Sequence, residues 1–145
     1  MTIQVHVDER ALRQVANLTR NVRERIIWRT MARARRQIAT AFKRRIVAEI
    51  RARGHVDTGA MLRVEIKSST YRPGLAIRFF PQFPRTFYQT PRGRGRQGAS
   101  KQGQYAFVVN HQSQFIQAAQ ARLQASGEAQ AIFNKHLAFI INQSL

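Results

Sequence analysis

The chain has 145 residues, a formal net charge of +18 at pH 7, and no cysteine. This length suits one compact domain, and a hydrophobic content of 43% is too high for a purely disordered basic tail. The charge predicts an acidic partner, which DNA, RNA, an anionic membrane surface or an acidic protein could each supply. The lack of thiols excludes disulfides, thiolate zinc sites and cysteine nucleophiles.

The N-terminal segment MTIQVHVDER has no apolar run of signal-peptide length. No window of the sequence approaches the roughly 18 consecutive apolar residues that a membrane span needs. We therefore expect a chain that is made and used in the cytosol and that forms a single domain over residues 1–145.

The first predicted element is a short strand. Apolar residues alternate with polar ones from Ile3 to Val7, a pattern typical of a strand with one buried face. Asp8 follows, and its carboxylate can cap the N-terminus of a helix.

A long basic helix is predicted next. Apolar residues recur mostly three or four apart from Leu12 to Ile50, with a discontinuity expected near Asn21, and Gly54 can end the helix. Between Arg10 and Arg53 the sequence has fourteen basic residues and two acidic ones. Two interpretations of this positive face stay open: a solvated surface, or one that lies against phosphate or an acidic neighbouring subunit.

A β-hairpin is predicted after the helix. Residues 62–66 and 75–79 alternate between apolar and polar, and YRPG at Tyr71–Gly74 is typical of a turn. A third strand is predicted at Tyr105–Asn110.

Helical patterns complete the chain at Phe115–Ala125 and Ala129–Ile141, separated by Ser126-Gly127. The order of elements predicts an α+β domain. In it, the long N-terminal basic helix and the C-terminal helices pack on a small, mainly antiparallel sheet.

A long loop is predicted at about 81–104, between the second and third core strands. Its first half carries aromatic residues that are candidates for docking a partner, with packing on the domain's own core as the other interpretation: Phe83, Phe87 and Tyr88. Its second half is rich in glycine and should be mobile. The basic residues there are candidates for contact with DNA or with a protein partner, a plain flexible loop being the alternative: Arg92, Arg94, Arg96 and Lys101.

Asp57, Thr58 and Gly59 spell the tripeptide of an aspartic protease active-site loop. In that class an apolar strand precedes the aspartate and buries a pair of carboxylates. Here the aspartate follows RARGH at 51–55, the polar end of a helix. We interpret the segment as a turn, in which side-chain oxygens accept from backbone amides and Gly59 permits the reversal into a strand at Leu62.

No other catalytic or metal-binding pattern is found in the sequence. The segment PRGRGRQG lacks the Gly-Lys-Ser/Thr ending of a phosphate-binding P-loop. The four histidines are scattered without the spacing of metal ligands: His6, His55, His111 and His136. We therefore expect a non-enzymatic protein without a metal or cofactor.

The order of motifs resembles the neck and tail-component family of tailed bacteriophages, also called tail-completion proteins. Its helix-to-strand turn is matched by Asp57-Thr58-Gly59 with Leu62, its later strand by Tyr105-Ala106, and the start of its next helix by Phe115-Ile116. The resemblance covers nearly the whole chain. Where the family often has Glu-x-Gly after the third strand, this chain has residues 109–112, VNHQ.

The resemblance implies a structural virion protein at the head–tail junction, present in the host cytoplasm during assembly. It implies a six-fold or twelve-fold ring of identical subunits that contacts neighbouring neck and tail proteins, with double-stranded DNA in the lumen. A minor tail or tail-terminator protein of the same assembly is one alternative. A basic, sequence-nonspecific nucleic-acid-binding protein is the other.

Overall fold

The structure is a computed structural model that describes residues 2–13, 19–53, 60–71, 76–83 and 114–144. Strand β1 (Thr2–Gln4) is followed by the short helix α1 (Glu9–Leu12). The Asp8 carboxylate accepts hydrogen bonds from the backbone N–H groups of Arg10 at 3.0 Å and Ala11 at 3.4 Å. The capping role of Asp8 is confirmed, and so is a strand at Ile3, but β1 ends at Gln4 and does not extend to Val7.

The longest element is α2 (Arg20–Ala52), whose 33 residues extend over about 50 Å. The Thr19 hydroxyl caps its N-terminus by accepting from the N–H of Val22 at 3.3 Å. The discontinuity expected near Asn21 is therefore a helix start one residue earlier. Arg53 is the C-cap, and Gly54, the predicted helix terminator, lies outside the described residues.

Three antiparallel strands form the sheet, in the order β1-β3-β2, with β2 at Glu65–Tyr71 and β3 at Ala76–Gln82. The register pairs Ser69 with Arg78 and Ile3 with Ile77. The hairpin of β2 and β3 confirms the sequence prediction. The strand predicted at 105–110 lies outside the described residues.

The prediction that a strand starts at Leu62 is wrong. Leu62 belongs to a 3-10 helix (Ala60–Arg63), and β2 begins only at Glu65. Leu62 and Val64 still reach the core from this turn. An alternation of three apolar residues does not distinguish a strand from a tight turn that leads into a strand. Both structures can direct these side chains toward the core.

Two C-terminal helices, α3 (Phe115–Ser126) and α4 (Glu128–Ser144), form a hairpin that packs on α2. Gly127 joins them with φ at +71°, a left-handed conformation that favours glycine. The separation predicted at Ser126-Gly127 is confirmed. Since α2 also contacts β2 and β3, the α+β architecture is confirmed, with α2 contacting both the sheet and the helical hairpin.

Aromatic side chains hold these layers together. Phe42 of α2 and Phe79 of β3 are fully buried, and their ring centroids are 5.6 Å apart. Phe83 is half-buried and lies edge-on to Phe115, with centroids 6.2 Å apart. Of the two interpretations of Phe83, the structure therefore supports packing on the domain's own core.

Candidate anion-binding surface

One side of α2 carries a row of four cations, Arg25, Arg29, Arg36 and Lys43, which we call the basic row. Steps of four and seven residues return to nearly the same side of a helix. The three arginines are exposed and Lys43 is half-buried. At a rise of about 1.5 Å per residue, the row extends over about 27 Å along the helix axis.

Several other cations of α2 are neutralised by carboxylates. The nitrogen–oxygen pairs are Arg20–Glu24 at 3.1 Å, Arg23–Glu9, Arg44–Glu128 at 3.0 Å and Arg45–Glu128 at 3.2 Å. Within the described parts of the chain, no carboxylate lies within ion-pair distance of the basic row. Its like charges therefore repel one another, and a bound anion would remove that cost.

An arginine–aromatic pair lies beside the row. The guanidinium carbon of Arg33 is 4.4 Å from the centroid of the Phe139 ring on α4. Phe139 is 43% exposed, and the cation is attracted to the face of the ring. Arg33 is thus directed toward α4 and does not belong to the basic row.

His136 of α4 lies close to the same positive surface. Partial burial, followed by the charges of Arg33 and Lys135, holds the pKa of its imidazole below the ordinary value of 6.5. A ring nitrogen lies 3.1 Å from the side-chain oxygen of Gln37. The lowered pKa favours the neutral imidazole at pH 7, so His136 adds little charge to the surface.

The lowered pKa predicts a pH-dependent stability. The unfolded chain takes up a proton at His136 near pH 6.5, whereas the folded chain resists it until lower pH. The free energy that favours the folded state is thus present above the unfolded pKa and is lost as pH falls through the folded pKa. We expect the urea midpoint to fall less between about pH 7.5 and about pH 5 in His136→Gln than in the wild type. An equal fall of the urea midpoint in the variant and the wild type would contradict the lowered pKa of His136.

A buried carboxylate fastens α2 to α3. The Glu49 side chain is 4% exposed, accepts a hydrogen bond from Arg53 Nε at 3.1 Å and forms an ion pair with Arg122 Nη1 at 2.5 Å. Both arginines lie nearer the surface, with side chains 33% and 66% exposed. This single carboxylate, bound by two guanidinium groups, is a structural anchor between two helices.

Replacing this carboxylate should destabilise the fold. Glu49→Gln keeps the shape but turns an N–H₂ group toward a guanidinium, so we expect a loss of about 2 kcal/mol in the free energy of unfolding. Glu24→Gln is the matched control, since the Arg20–Glu24 pair is exposed on both sides and such pairs are worth about 0–1 kcal/mol. Urea denaturation measures both variants, and equal losses would argue against the anchor.

Several residues predicted as functional lie outside the described residues. They are Asp57, Thr58 and Gly59 of the turn, Phe87 and Tyr88 of the aromatic segment, and Arg92, Arg94, Arg96 and Lys101 of the basic segment. Leu62 is half-buried against the core. Phe80, next to the buried Phe79, is 48% exposed.

The sequence predicted a positive face on α2 but did not separate the basic row from the neutralised cations. The partner of Arg44 and Arg45 is Glu128, more than 80 residues away, and no local pattern indicates that pairing. The spacing of Arg29, Arg36 and Lys43 by seven residues is the signal that could have found the row.

No group of three or more histidine or acidic side chains in the described ranges could hold a metal ion. Among the same residues, no helix combines the length and the apolar character that crossing a membrane requires. No protein-family model, curated protein or solved structure matches this chain.

Proposed function

We propose that this protein is a non-enzymatic structural subunit of a phage virion, a neck or tail-completion protein that joins the tail to the DNA-filled head. The observation that carries the proposal is the basic row, four cations on one side of α2 without a carboxylate partner among the described residues. The order of the sequence motifs supports a location at the head–tail junction, where the basic row would contact its anion. The anion is the phosphate backbone of DNA that passes through a ring of subunits.

The shape of the row suits phosphate contact without base recognition. A row of cations about 27 Å long on one side of a helix suits contact along a duplex rather than entry into a base pocket, and duplex DNA carries one negative charge per about 1.7 Å of axis. Arginine and lysine contacts to phosphate position a protein on the duplex and carry no sequence information. Such a surface holds DNA in a lumen while letting it move along its axis.

A second candidate function is a free, sequence-nonspecific nucleic-acid-binding protein. The same basic row favours it, because electrostatic binding to phosphate needs no virion. A minor tail or tail-terminator protein would place the subunit elsewhere in the same particle.

The location of the protein separates these functions. Particles purified from cells that carry the gene should contain the chain in stoichiometric amounts by mass spectrometry. Antibody labelling under the electron microscope should place it at the head–tail junction. A chain absent from particles and bound to DNA in the lysate would support the second candidate and overturn the first.

A further inference from the structure

Phe139 on α4 is one of two large hydrophobic side chains that are exposed within the described residues. It is 43% exposed, and the other, Phe80 on β3, is 48% exposed. A single exposed ring is ordinary on a protein surface. Phe139, however, has the Arg33 guanidinium over its ring, with the guanidinium carbon 4.4 Å from the ring centroid. These two side chains, which we call the stacking pair, form a partly exposed surface of a flat cation and an aromatic ring.

Further cations border the stacking pair on both helices. On α2, Arg33 lies one helical turn from Arg29 and one turn from Arg36, both members of the basic row. On α4, the exposed Lys135 precedes Phe139 by one turn. None of these four cations has a carboxylate within ion-pair distance in the described part of the chain. The stacking pair therefore lies among positive charges that are not neutralised there.

A polar contact between the two helices positions the stacking pair. A ring nitrogen of His136 lies 3.1 Å from the side-chain oxygen of Gln37. Gln37 is one turn from Arg33, and His136 is one turn from Phe139. The charges of Arg33 and Lys135 both lower the pKa of His136, so the positive potentials of the two helices overlap beside the pair.

We propose that the stacking pair binds an unpaired base of a single-stranded nucleic acid, whose phosphates contact Arg29, Arg36 and Lys135. Such a strand combines flat bases with negative charge, and so matches an exposed aromatic surface bordered by cations. Proteins that bind single strands stack bases on phenylalanine rings and on guanidinium planes. In a duplex the bases are stacked on one another and their faces are not accessible. This binding activity therefore goes beyond the duplex contact of the proposed function.

Phe139→Leu tests the proposal, because it removes the aromatic face and keeps an apolar side chain. We expect this variant to bind a thymidine strand of about 20 nucleotides about tenfold more weakly than the wild type does. Its affinity for a duplex of about 20 base pairs should change by less than about twofold, and the salt slope should stay the same because no charge is removed. Fluorescence anisotropy measures both ligands. A uridine strand of equal length distinguishes RNA from DNA as the source of the strand.

Phe80→Leu is the matched control, since it removes the other exposed phenylalanine, which lies outside the stacking pair. It should change the affinity for the thymidine strand by less than about twofold. Phe139→Trp keeps an aromatic face and should bind the strand within about threefold of the wild type. Both leucine variants replace exposed side chains, so circular dichroism should show that they fold.

Three results would overturn the proposal. They are a wild type that does not bind the thymidine strand, a Phe139→Leu variant that binds it as tightly as the wild type, and equal losses in Phe139→Leu and Phe80→Leu. Duplex binding that depends on the basic row could persist in each case. Failure of this inference is therefore distinguishable from failure of the proposed function.

Discussion

Phe42→Ala should cost about 3–5 kcal/mol of unfolding free energy, the largest effect that we expect from one substitution. Phe42 is fully buried, and its ring packs 5.6 Å from that of Phe79 on the central strand. Truncation removes the main aromatic contact between α2 and the sheet and leaves a cavity that the surrounding helices cannot fill. Chemical denaturation followed by circular dichroism measures the loss.

Phe80→Ala is the matched control for this change. Phe80 neighbours Phe79 on the same strand but is 48% exposed, so its truncation should cost less than about 1 kcal/mol. Should Phe42→Ala fail to fold, Phe42→Leu keeps most of the apolar volume and should fold with a smaller loss. Comparable stabilities of the Phe42 and Phe80 alanine variants would contradict the packing of α2 on the sheet.

Removing three charges of the basic row should weaken duplex DNA binding by about 10²-fold or more at about 0.1 M salt. Each phosphate contact contributes about 0.9 to the slope of log K against log salt, so Arg29→Gln, Arg36→Gln and Lys43→Gln together should lower the slope by about 2.7. Glutamine has nearly the helix propensity of arginine and lysine, so α2 should persist. Fluorescence anisotropy at several salt concentrations gives both quantities.

The control variant removes three positive charges that lie outside the basic row. Arg10, Arg63 and Lys67 are exposed and lie outside α2, and their combined change to glutamine lowers the net charge by the same three units. We expect this control to lose less than about tenfold in affinity, because only the long-range field changes. Equal losses in both triple variants would show that net charge, rather than the row, determines binding.

Much of this fold could be predicted from local patterns. The 3.6-residue periodicity of α2 and the alternation from Ile3 to Val7 and along the hairpin each placed an element within a few residues. The break predicted at Ser126-Gly127 is the link between the last two helices, where Gly127 takes the left-handed conformation that commonly ends a helix. These features depend on near neighbours in sequence, which is why one sequence is enough to find them.

Features that depend on distant neighbours could not be predicted. The pairing of β1 with β3 joins residues more than 70 positions apart, and nothing near Ile3 indicates Ile77 as its partner. The long-range pairing of Glu128 with Arg44 and Arg45 separates these two cations from the basic row, and no local pattern indicates it. Glu49 is one of two acidic residues in a run of cations, and nothing near it in the sequence indicates Arg122 as its partner.

We propose that α2 faces DNA from within a ring of subunits at the head–tail junction, and electron cryomicroscopy of intact particles can test this placement. We expect density for this fold at the junction, with Arg25, Arg29, Arg36 and Lys43 turned toward the DNA in the lumen. A ring in which these side chains face away from DNA, or particles without the chain, would contradict it.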